Sequence, residues 1–585
     1  MRFDIQALIP QIRIGNDYLD AEQAEHAGLI LSQHEENNEN GVFLRLSLVN
    51  RSGKAIRLEK FNWHYSGDKS DFLRSAGINA YLEGWQMATP GGVRRPDDRD
   101  YRFDPDYLKY AVAEPEDHSS EPGHFRAENV VMFHDRTGGE TLLFGFVTSA
   151  DQFGHFKFEL DGRGVKELDI RSACDGMLLE NGETVHSEAL AVMTGTDGYS
   201  LLRRFAGVWA EKMRARTGFK PPVGWCSWYY YFEKVREEDI LENAEFIAAH
   251  KDDYPLRYIQ LDDGYQSAAG DWLVCNEKFP HGLGDLAARL REKGFTPALW
   301  VAPFVVEDGS ALLKEHPEWM IRDAAGKIVM EFQWRKHPAA ILDGTHPGVR
   351  RHFRELFAKI RAMGFDYVKL DFMVMACAMR RGVLHDPKAT RAQALRRGLA
   401  AIREGFGDDG YILGCTVPFG PTVGLVDGMR ISTDITPYWA PAKWFDEAPT
   451  VPNVCRNVIR RTYMNKLLWN NDPDTLIVRD DNTKLTENEV RLWYQAVRLS
   501  GGMLMLSDRF STLKPERAAM PIELLKEPDA YETRPGDFWS DGIPKVWSAE
   551  HRVTGVRENG LFNFAESAEE ICGIEVSPHS CIITK

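Results

Sequence analysis

The chain has 585 residues, of which 43% are hydrophobic and 27% are charged, and its formal net charge is −16 at pH 7. This length exceeds what a single hydrophobic core serves and predicts about two to four domains. The acidic balance argues against nucleic acid and anionic membrane surfaces as partners, because both require a basic face.

The chain opens with the residues MRFDIQ, which lack the apolar segment of a secretory signal. No apolar run approaches the roughly 18–20 residues needed to span a bilayer. The 8 cysteines are scattered, without a CxxC pair or a Cys/His cluster. A zinc site or a disulfide framework is therefore not expected, and reduced thiols in a cytoplasmic protein fit this pattern.

Residues 1–205 are predicted to form an N-terminal β-sandwich. Alternating apolar segments at 42–49 and 141–147 are separated by clusters of Gly, Asn and Asp, and helical periodicity is nearly absent. The region 86–126 is dense in Pro, Gly, Asp and Arg and indicates long loops. A helix near 200–216 leads to Lys220-Pro221-Pro222, which is typical of a domain boundary.

Residues 206–514 alternate short apolar strands with amphipathic helices, a pattern that predicts a parallel sheet. Eight such units have the size of a (β/α)8 TIM barrel, in which the active site lies at the C-terminal ends of the strands. The strands are expected at 223–231, 258–261, 297–305, 367–371, 411–417, 428–434, 467–471 and 502–507. The helices are expected at 238–250, 285–293, 349–363, 389–404, 453–466 and 487–500.

Residues 515–585 return to short β-like segments. These lie at 545–547, 571–576 and 581–584. They predict a small C-terminal antiparallel β domain, so the fold expected for the whole chain is multidomain.

Two of the barrel strands end in an acid with a basic residue close by. Residues 367–372 read YVKLDF, and side-chain alternation points Lys369 and Asp371 to the same face. Residues 430–434 read RISTD, with Arg430 four positions before Asp434. Each acid by itself could be a structural group or one half of an ion pair, but two at active-site strand ends indicate the carboxylate pair of a glycosidase.

Further polar and aromatic residues follow other strand ends. Asp262-Asp263-Gly264 is either a solvated turn or a pair of acceptors for vicinal sugar hydroxyls. Cys415 ends the fifth strand and, on the sequence alone, is more simply a small buried hydrophobe. Aromatic side chains that could wall a sugar pocket, or pack in the core, are Trp225, Trp228, Tyr229, Tyr230, Tyr231, Trp272, Trp300, Tyr438 and Trp439.

Taken in order, these motifs resemble those of the α-galactosidases of glycoside hydrolase family 36, the melibiases, and especially their shorter bacterial members. The resemblance covers most of the chain and implies a β-supersandwich, a (β/α)8 barrel and a C-terminal β domain. Its motifs here are GWCSWY at 224–229, LDDG at 261–264, WVAPF at 300–304, VKLDF at 368–372, ILGC at 412–415 and DGMRISTD at 427–434.

The resemblance also implies roles for individual residues. Asp371 would be the nucleophile and Asp434 the acid/base, while Asp262 and Asp263 would bind the galactose 4- and 6-hydroxyls. The remaining implied substrate-binding residues are Lys369 and Arg430, which would hold the sugar and the carboxylates, Cys415 near the 2-position, and Trp228 and Trp300 as pocket walls.

Two positions depart from the family pattern. Met373 stands where longer members carry Asn two residues past the nucleophile, which affects contacts to the 2-hydroxyl. The family's N-terminal Gly-x-Gln-Ser-Trp loop reads Gly84-Trp85-Gln86-Met87-Ala88 here, so Trp85 is the candidate for the loop aromatic.

The expected reaction is hydrolysis of terminal α-galactosides with retention of configuration and without a cofactor. The expected partner is a small carbohydrate, and association with further copies of the chain is left open. A galactosyl transferase of the same clan is the nearer alternative, because only the acceptor would differ. A metal-dependent barrel enzyme using Asp262, Asp263, His346 and Asp371, or a non-catalytic sugar-binding module, is more distant.

Overall fold

The computed structural model describes residues 3–67, 72–379, 382–440 and 445–585. Its N-terminal domain consists of two antiparallel sheets packed face to face. Aromatic contacts join them, since the ring centroid of Phe146 in one sheet lies 6.5 Å from that of Trp63 and 5.5 Å from that of Phe156 in the other. The predicted β-sandwich is confirmed.

The strand order of this sandwich is as follows. The first sheet runs Asp17–Leu19, Ile9–Ile14, Ile56–Ser66, Gly164–Leu179, Phe153–Asp161, His124–Glu128. The second runs Thr184–His186, Gly41–Asn50, Leu190–Gly195, Thr141–Phe146, Val130–Asp135, Ile78–Leu82, Gly92–Arg94, with Leu29–Asn38 paired to Gly41–Asn50. Two short helices, Ala21–His26 and Leu108–Ala111, lie outside the sheets.

Eight parallel strands form the central barrel, as predicted. Barrel strands 1 to 8 are Val223–Cys226, Tyr258–Leu261, Thr296–Val301, Tyr367–Leu370, Tyr411–Gly414, Gly428–Arg430, Asn470–Asp472 and Leu504–Leu506. Strands 7 and 8 do not pair along their length, but backbone hydrogen bonds link the segments that carry them. Met503 N donates to Asn471 O and Leu476 N donates to Met505 O, each at 2.8 Å. The barrel is therefore nearly closed.

Barrel strand 1 is shorter than expected. It ends at Cys226, and Trp228–Tyr231 forms one helical turn instead of continuing the predicted strand to 231. The cause lies at Ser227, whose backbone is helical (φ −76°, ψ −16°) and whose hydroxyl accepts a hydrogen bond from Asp262 N at 3.0 Å. The chain thus leaves the sheet one residue after the strand.

The helices around the barrel begin at identifiable signals. Thr390 caps Arg391–Phe406, and Thr486 caps Glu487–Ser500, each in a capping box. Pro347 opens Pro347–Ala362 at a position where a missing N–H costs nothing. The other long helices are Gly198–Met213, Glu237–Ala249, Gly282–Glu292, Val451–Arg460 and Pro515–Lys526, and shorter ones are Ala311–Glu315, Met375–Ala378 and Phe419–Thr422.

An insertion between barrel strands 3 and 4 was not predicted. It is a three-stranded antiparallel sheet of Val305–Glu307, His337–Ile341 and Phe332–Trp334. The last two strands form a hairpin with its turn at Arg335 and Lys336, and this hairpin lies over the C-terminal end of the barrel.

The chain ends in an antiparallel β domain, as predicted. Its four-stranded sheet is Tyr531–Pro535, Val546–His551, Arg557–Asn563, Ser580–Thr584, and a two-stranded sheet is Glu569–Ile571 with Ile574–Val576. The expected domain limit at 205/206 falls inside helix Gly198–Met213, and that at 514/515 directly precedes helix Pro515–Lys526. Across the described ranges, no helix combines the length and apolar character required to cross a bilayer.

Candidate active site

A cavity of about 1160 Å³ opens at the C-terminal ends of the barrel strands. Three parts of the chain build it. The strand ends supply Trp228, Asp262, Asp263, Trp300, Lys369, Asp371, Thr416 and Asp434; the N-terminal domain supplies Met87, Ala88, Asp104, Asp106, Tyr107 and Tyr110; and the hairpin supplies Phe332, Gln333, Trp334, Arg335, Lys336 and His337.

Asp371 follows barrel strand 4 and faces this cavity as an anion. Trp300 Nε1 donates to its Oδ2 at 3.1 Å, and Phe372 N donates to its Oδ1 at 2.7 Å. Burial by itself would raise the pKa of Asp371, but Lys369 and hydrogen bonds from Thr416, Trp300 and the Phe372 amide outweigh it, so the pKa lies below its ordinary value. The carboxylate is ready to act as a nucleophile.

Asp434 lies in the loop after barrel strand 6 and has the opposite tendency. Its side chain is 43% exposed, and this exposed part faces the deep cavity. Arg430 Nη1 lies 3.0 Å from its Oδ1. Burial raises the pKa of Asp434, and the charge of Asp371 adds to this, against the lowering by Arg430 and Lys369. Two carboxyl groups whose environments move their pKa values apart are suited to separate roles as nucleophile and proton donor.

Arg430 forms ion pairs with two further carboxylates besides that of Asp434. Its Nε lies 3.0 Å from Asp472 Oδ2, and its Nη2 lies 2.9 Å from Asp474 Oδ1. The sequence places both acids at the end of barrel strand 7 but does not show that they share the arginine with Asp434. The guanidinium is fully buried and fixed from three sides.

Lys369 and Asp262 form a buried ion pair in the wall of the same cavity. Lys369 Nζ lies 3.0 Å from Asp262 Oδ2, which also accepts a hydrogen bond from Gln260 Nε2 at 2.8 Å. Burial lowers the pKa of Lys369, but Asp262, Cys415 and Asp371 together outweigh it, so the pKa lies well above its ordinary value. Lys369 therefore stays charged, and its charge acts on Asp371.

Asp263 lines the cavity next to Asp262. Gln266 Nε2 donates to its Oδ1 at 2.6 Å, and Arg335 Nη2 from the hairpin donates to its Oδ2 at 3.0 Å. Burial raises the pKa of Asp263 above its ordinary value, although the charge of Arg335 opposes this. Arg335 had not been singled out in the sequence, because it lies in a hairpin without a distinctive motif.

The aromatic candidates divide into two groups. Trp300 and Trp228 line the cavity, and Trp300 packs at 5.9 Å from the ring of Trp334. Trp85 is buried in the N-terminal domain, edge-on to Phe153 at 5.2 Å. Its ring packs in the core, so the loop residues that reach the cavity are the neighbouring Met87 and Ala88.

Neither Trp85 nor Cys415 is among the described residues that line the cavity. Cys415 is buried against Met87 and Ala88, and the lining side chain at this position is its neighbour Thr416. Tyr107, which the sequence offered no reason to select, does reach the cavity from the predicted loop region, where its hydroxyl accepts a hydrogen bond from Gln86 at 3.2 Å.

The metal-site alternative requires His346 to join the strand-end acids. His346 instead lies at the start of helix Pro347–Ala362, where its Nδ1 accepts a hydrogen bond from Gly348 N at 3.0 Å. Among the described residues, the close group of potential ligands is Glu237, His281 and Asp285, away from the cavity. The four residues of that alternative are thus not brought together.

Comparison with known proteins gives concordant results. Residues 224–399 match the Melibiase family model. A myogenesis-regulating glycosidase of Mus musculus is 30% identical over 152 residues, 26% of this chain and 21% of that relative. Alpha-galactosidase Mel36A of Lactobacillus acidophilus is 26% identical over 257 residues, 41% of this chain and 33% of that relative. The chain thus spans about a fifth to a third of these relatives' lengths.

The fold resembles a solved structure over nearly its whole length. TtGalA, an alpha-galactosidase from Thermus thermophilus in complex with p-nitrophenyl alpha-D-galactopyranoside, matches with a TM-score of 0.66 and 23% sequence identity. The match covers 88% of this chain and 98% of that one. The multidomain layout expected from the sequence is therefore shared with a known alpha-galactosidase structure.

Proposed function

We propose that this chain belongs to the melibiase family and is a retaining, exo-acting α-galactosidase of glycoside hydrolase family 36 that releases terminal α-linked galactose from oligosaccharides. The observation that carries the proposal is the carboxyl pair in the cavity, with the pKa of Asp371 lowered and that of Asp434 raised. Glycoside cleavage requires this division between an ionised and a protonated acid.

In the first half-reaction, an Asp371 oxygen attacks the anomeric carbon while the bond to the aglycone oxygen breaks. Asp434 gives its proton to that oxygen, and the sugar becomes a glycosyl ester of Asp371. Trp300 and the Phe372 amide, which donate to the two carboxylate oxygens, hold Asp371 in a fixed orientation. This orientation lowers the entropic cost of reaching the transition state.

In the second half-reaction, water attacks the anomeric carbon from the side vacated by the aglycone. Asp434, now ionised, takes a proton from this water, and the ester bond to Asp371 breaks. Esterification has removed the negative charge of Asp371, so the pKa of Asp434 falls between the two steps and the same residue serves first as acid and then as base. Both residues end the cycle in their starting states.

Sugar selectivity is assigned to Asp262 and Asp263, which would accept hydrogen bonds from the galactose 4- and 6-hydroxyls. Both are buried, and both are held by cationic side chains, Lys369 and Arg335. A site built to bind a hydroxyl rejects analogues that lack it there by factors on the order of 10⁴. α-Galactosides should therefore be cleaved far faster than α-glucosides, which differ at the 4-position.

The test is a panel of nitrophenyl α- and β-glycosides and melibiose, with proton NMR of the first product. We expect α-galactose before mutarotation, and methyl α-galactoside when methanol competes with water. Retention requires the two carboxyl groups to be roughly 5–5.5 Å apart. β-Galactose as the first product, or equal rates on glucosides and galactosides, would refute the proposal, and transfer to a sugar acceptor with negligible hydrolysis would favour the transferase.

A further inference from the structure

Behind Asp434 lies a buried cluster in which three carboxyl groups share one guanidinium. Arg430 contacts Asp434, Asp472 and Asp474 at 2.9–3.0 Å. With all three acids ionised, the cluster would carry two uncompensated negative charges in a water-poor environment. Such a cluster retains a proton near neutral pH, and its location decides whether Asp434 can act as an acid.

The hydrogen-bond donors around each acid indicate where this proton lies. Asp474 accepts from the hydroxyl of Tyr229, from Ile435 N at 2.8 Å, from Thr475 N at 2.7 Å and from Arg430. These donors satisfy an ionised carboxylate from several sides and stabilise its charge.

The other two acids have fewer donors. Asp472 accepts from Arg430 and from Asp474 N at 3.0 Å. Asp434 accepts from Arg430 at 3.0 Å and also interacts with the Tyr229 hydroxyl. The charge is therefore best stabilised on Asp474, and the proton is best placed on Asp434.

We propose that Tyr229 and Asp474 are positioning residues that keep the proton of this cluster on Asp434, so that the acid/base is protonated when substrate arrives. This inference rests on the proposed function. Tyr229 acts by donating to Asp474, and Asp474 acts through its negative charge beside Asp434. Neither residue is among the described residues that line the cavity, so neither is positioned to touch the sugar.

The charge of Asp474 differs from that of Asp371 in one respect. Asp371 loses its charge when the glycosyl ester forms, whereas Asp474 keeps its charge through both half-reactions. Asp434 therefore remains a competent base for the attacking water even when Asp371 is neutral. The other titratable or charged groups that act on Asp434, or feel its charge, are Arg430, Lys369, Asp371, Cys415 and Tyr107.

The pKa values of both Asp474 and Asp434 are raised, so the cluster holds a proton, and the hydrogen-bond donors rather than the pKa directions indicate which acid carries it. Burial and the neighbouring acids Asp434 and Asp472 raise the pKa of Asp474 to about 7, against the lowering by Arg430. Burial likewise raises the pKa of Asp434. The two acids are coupled, and one proton is shared between their carboxyl groups.

The experiment compares Tyr229→Phe and Asp474→Asn with the unmodified chain on two substrates. Melibiose has a poor leaving group and needs the proton of Asp434, whereas a nitrophenyl α-galactoside does not. We expect kcat/KM for melibiose to fall by about 10–100-fold, within the range attributed to general acid catalysis, and that for the nitrophenyl substrate to change only a few-fold. In Asp474→Asn the alkaline limb for melibiose should move to lower pH, because Asp434 loses the neighbouring charge that raises its pKa.

Tyr230→Phe is the matched control, since its hydroxyl lies on the same helical turn but donates to Asp481 at 2.8 Å. This variant should leave the alkaline limb in place. An unchanged alkaline limb in Asp474→Asn, or equal losses on the two substrates in either variant, would overturn the inference. If the unmodified chain cleaves no α-galactoside, the proposed function fails first, and nitrophenyl activity of each variant reports that it is folded.

Discussion

At the scale of single residues, backbone strain lies close to Asp371, the proposed nucleophile. Phe372 and Thr416 are not glycines, yet their φ angles are 51° and 41°. Such left-handed conformations cost on the order of 1–3 kcal/mol each and persist where the surroundings impose them. The N–H of Phe372 donates to Asp371 Oδ1 at 2.7 Å, and Thr416 O accepts from Val374 N at 2.8 Å. Both strained residues thus lie in the segments that surround this carboxylate.

Asp371→Ala should abolish turnover of melibiose while leaving the fold intact, because Lys369 keeps its partner Asp262. Azide should partly restore cleavage of a nitrophenyl α-galactoside and give the β-galactosyl azide, since a small anion fits the space left by the carboxylate. Product analysis by NMR and mass spectrometry measures this outcome. Asp366→Ala, at the half-exposed start of the same strand, is the control and should remain active. Near-normal activity of Asp371→Ala would remove it from the mechanism.

At the scale of secondary-structure elements, the hairpin of Phe332–Trp334 and His337–Ile341 completes the cavity that the barrel begins. Trp334 is buried, with its ring 5.9 Å from Trp300 and edge-on to Phe372 at 5.2 Å. It therefore packs on two of the residues that donate hydrogen bonds to Asp371. The hairpin turn also carries Arg335 to Asp263.

Trp334→Ala should lower kcat/KM for nitrophenyl α-galactoside by about tenfold or more. Without the indole, Trp300 and Phe372 lose support, and small misplacements of groups that orient a reactant cost up to about 100-fold. Steady-state kinetics together with thermal unfolding separates this effect from global destabilisation. Trp334→Phe, which keeps an aromatic contact, should retain most activity. If the alanine variant is as active as the phenylalanine variant, the hairpin does not support the nucleophile.

At the scale of the whole molecule, a buried arginine joins the N-terminal domain to the barrel. Arg461 donates to Met87 O at 2.8 Å, to Ile431 O at 2.6 Å and to Glu83 Oε1 at 3.0 Å. Met87 lines the cavity, and Ile431 directly follows barrel strand 6. Arg461 thus holds both the N-terminal loop that carries Met87 and the segment between barrel strand 6 and Asp434.

Arg461→Met should lower the free energy of unfolding by about 3–5 kcal/mol, because it leaves the buried Glu83 without its cation. It should also raise KM for melibiose, since the loop carrying Met87 loses its anchor. Urea denaturation and steady-state kinetics measure the two effects. Adding Glu83→Gln should recover part of the stability.

The control for this prediction is Arg460→Met on the same helix. Arg460 is also buried, but it donates to Phe538 O and to Ser540 O at 2.7 Å, in the C-terminal region. Its loss should destabilise the protein without changing KM. Equal effects of the two variants on KM would show that the Arg461 contact does not position the loop.

Much of the architecture could be read from the sequence. The barrel strands and helices are encoded locally, in short apolar runs alternating with amphipathic segments. Five of the six predicted barrel helices coincide with observed ones to within a few residues, whereas the one predicted at 453–466 ends at Arg460. Asp262, Asp263, Lys369, Asp371 and Asp434 could be selected because strand ends of a parallel barrel converge on one mouth. All five line the cavity.

Other features were decided only by the tertiary structure. The sharing of Arg430 among Asp434, Asp472 and Asp474, the approach of Arg335 to Asp263, and the burial of Trp85 depend on contacts between residues distant in the chain. Similarly, Trp228–Tyr231 is helical because Ser227 is held by Asp262 from the next strand. Periodicity records which face of an element is apolar, but it does not record which polar groups meet across the fold, so partners of this kind leave no local signal in the sequence.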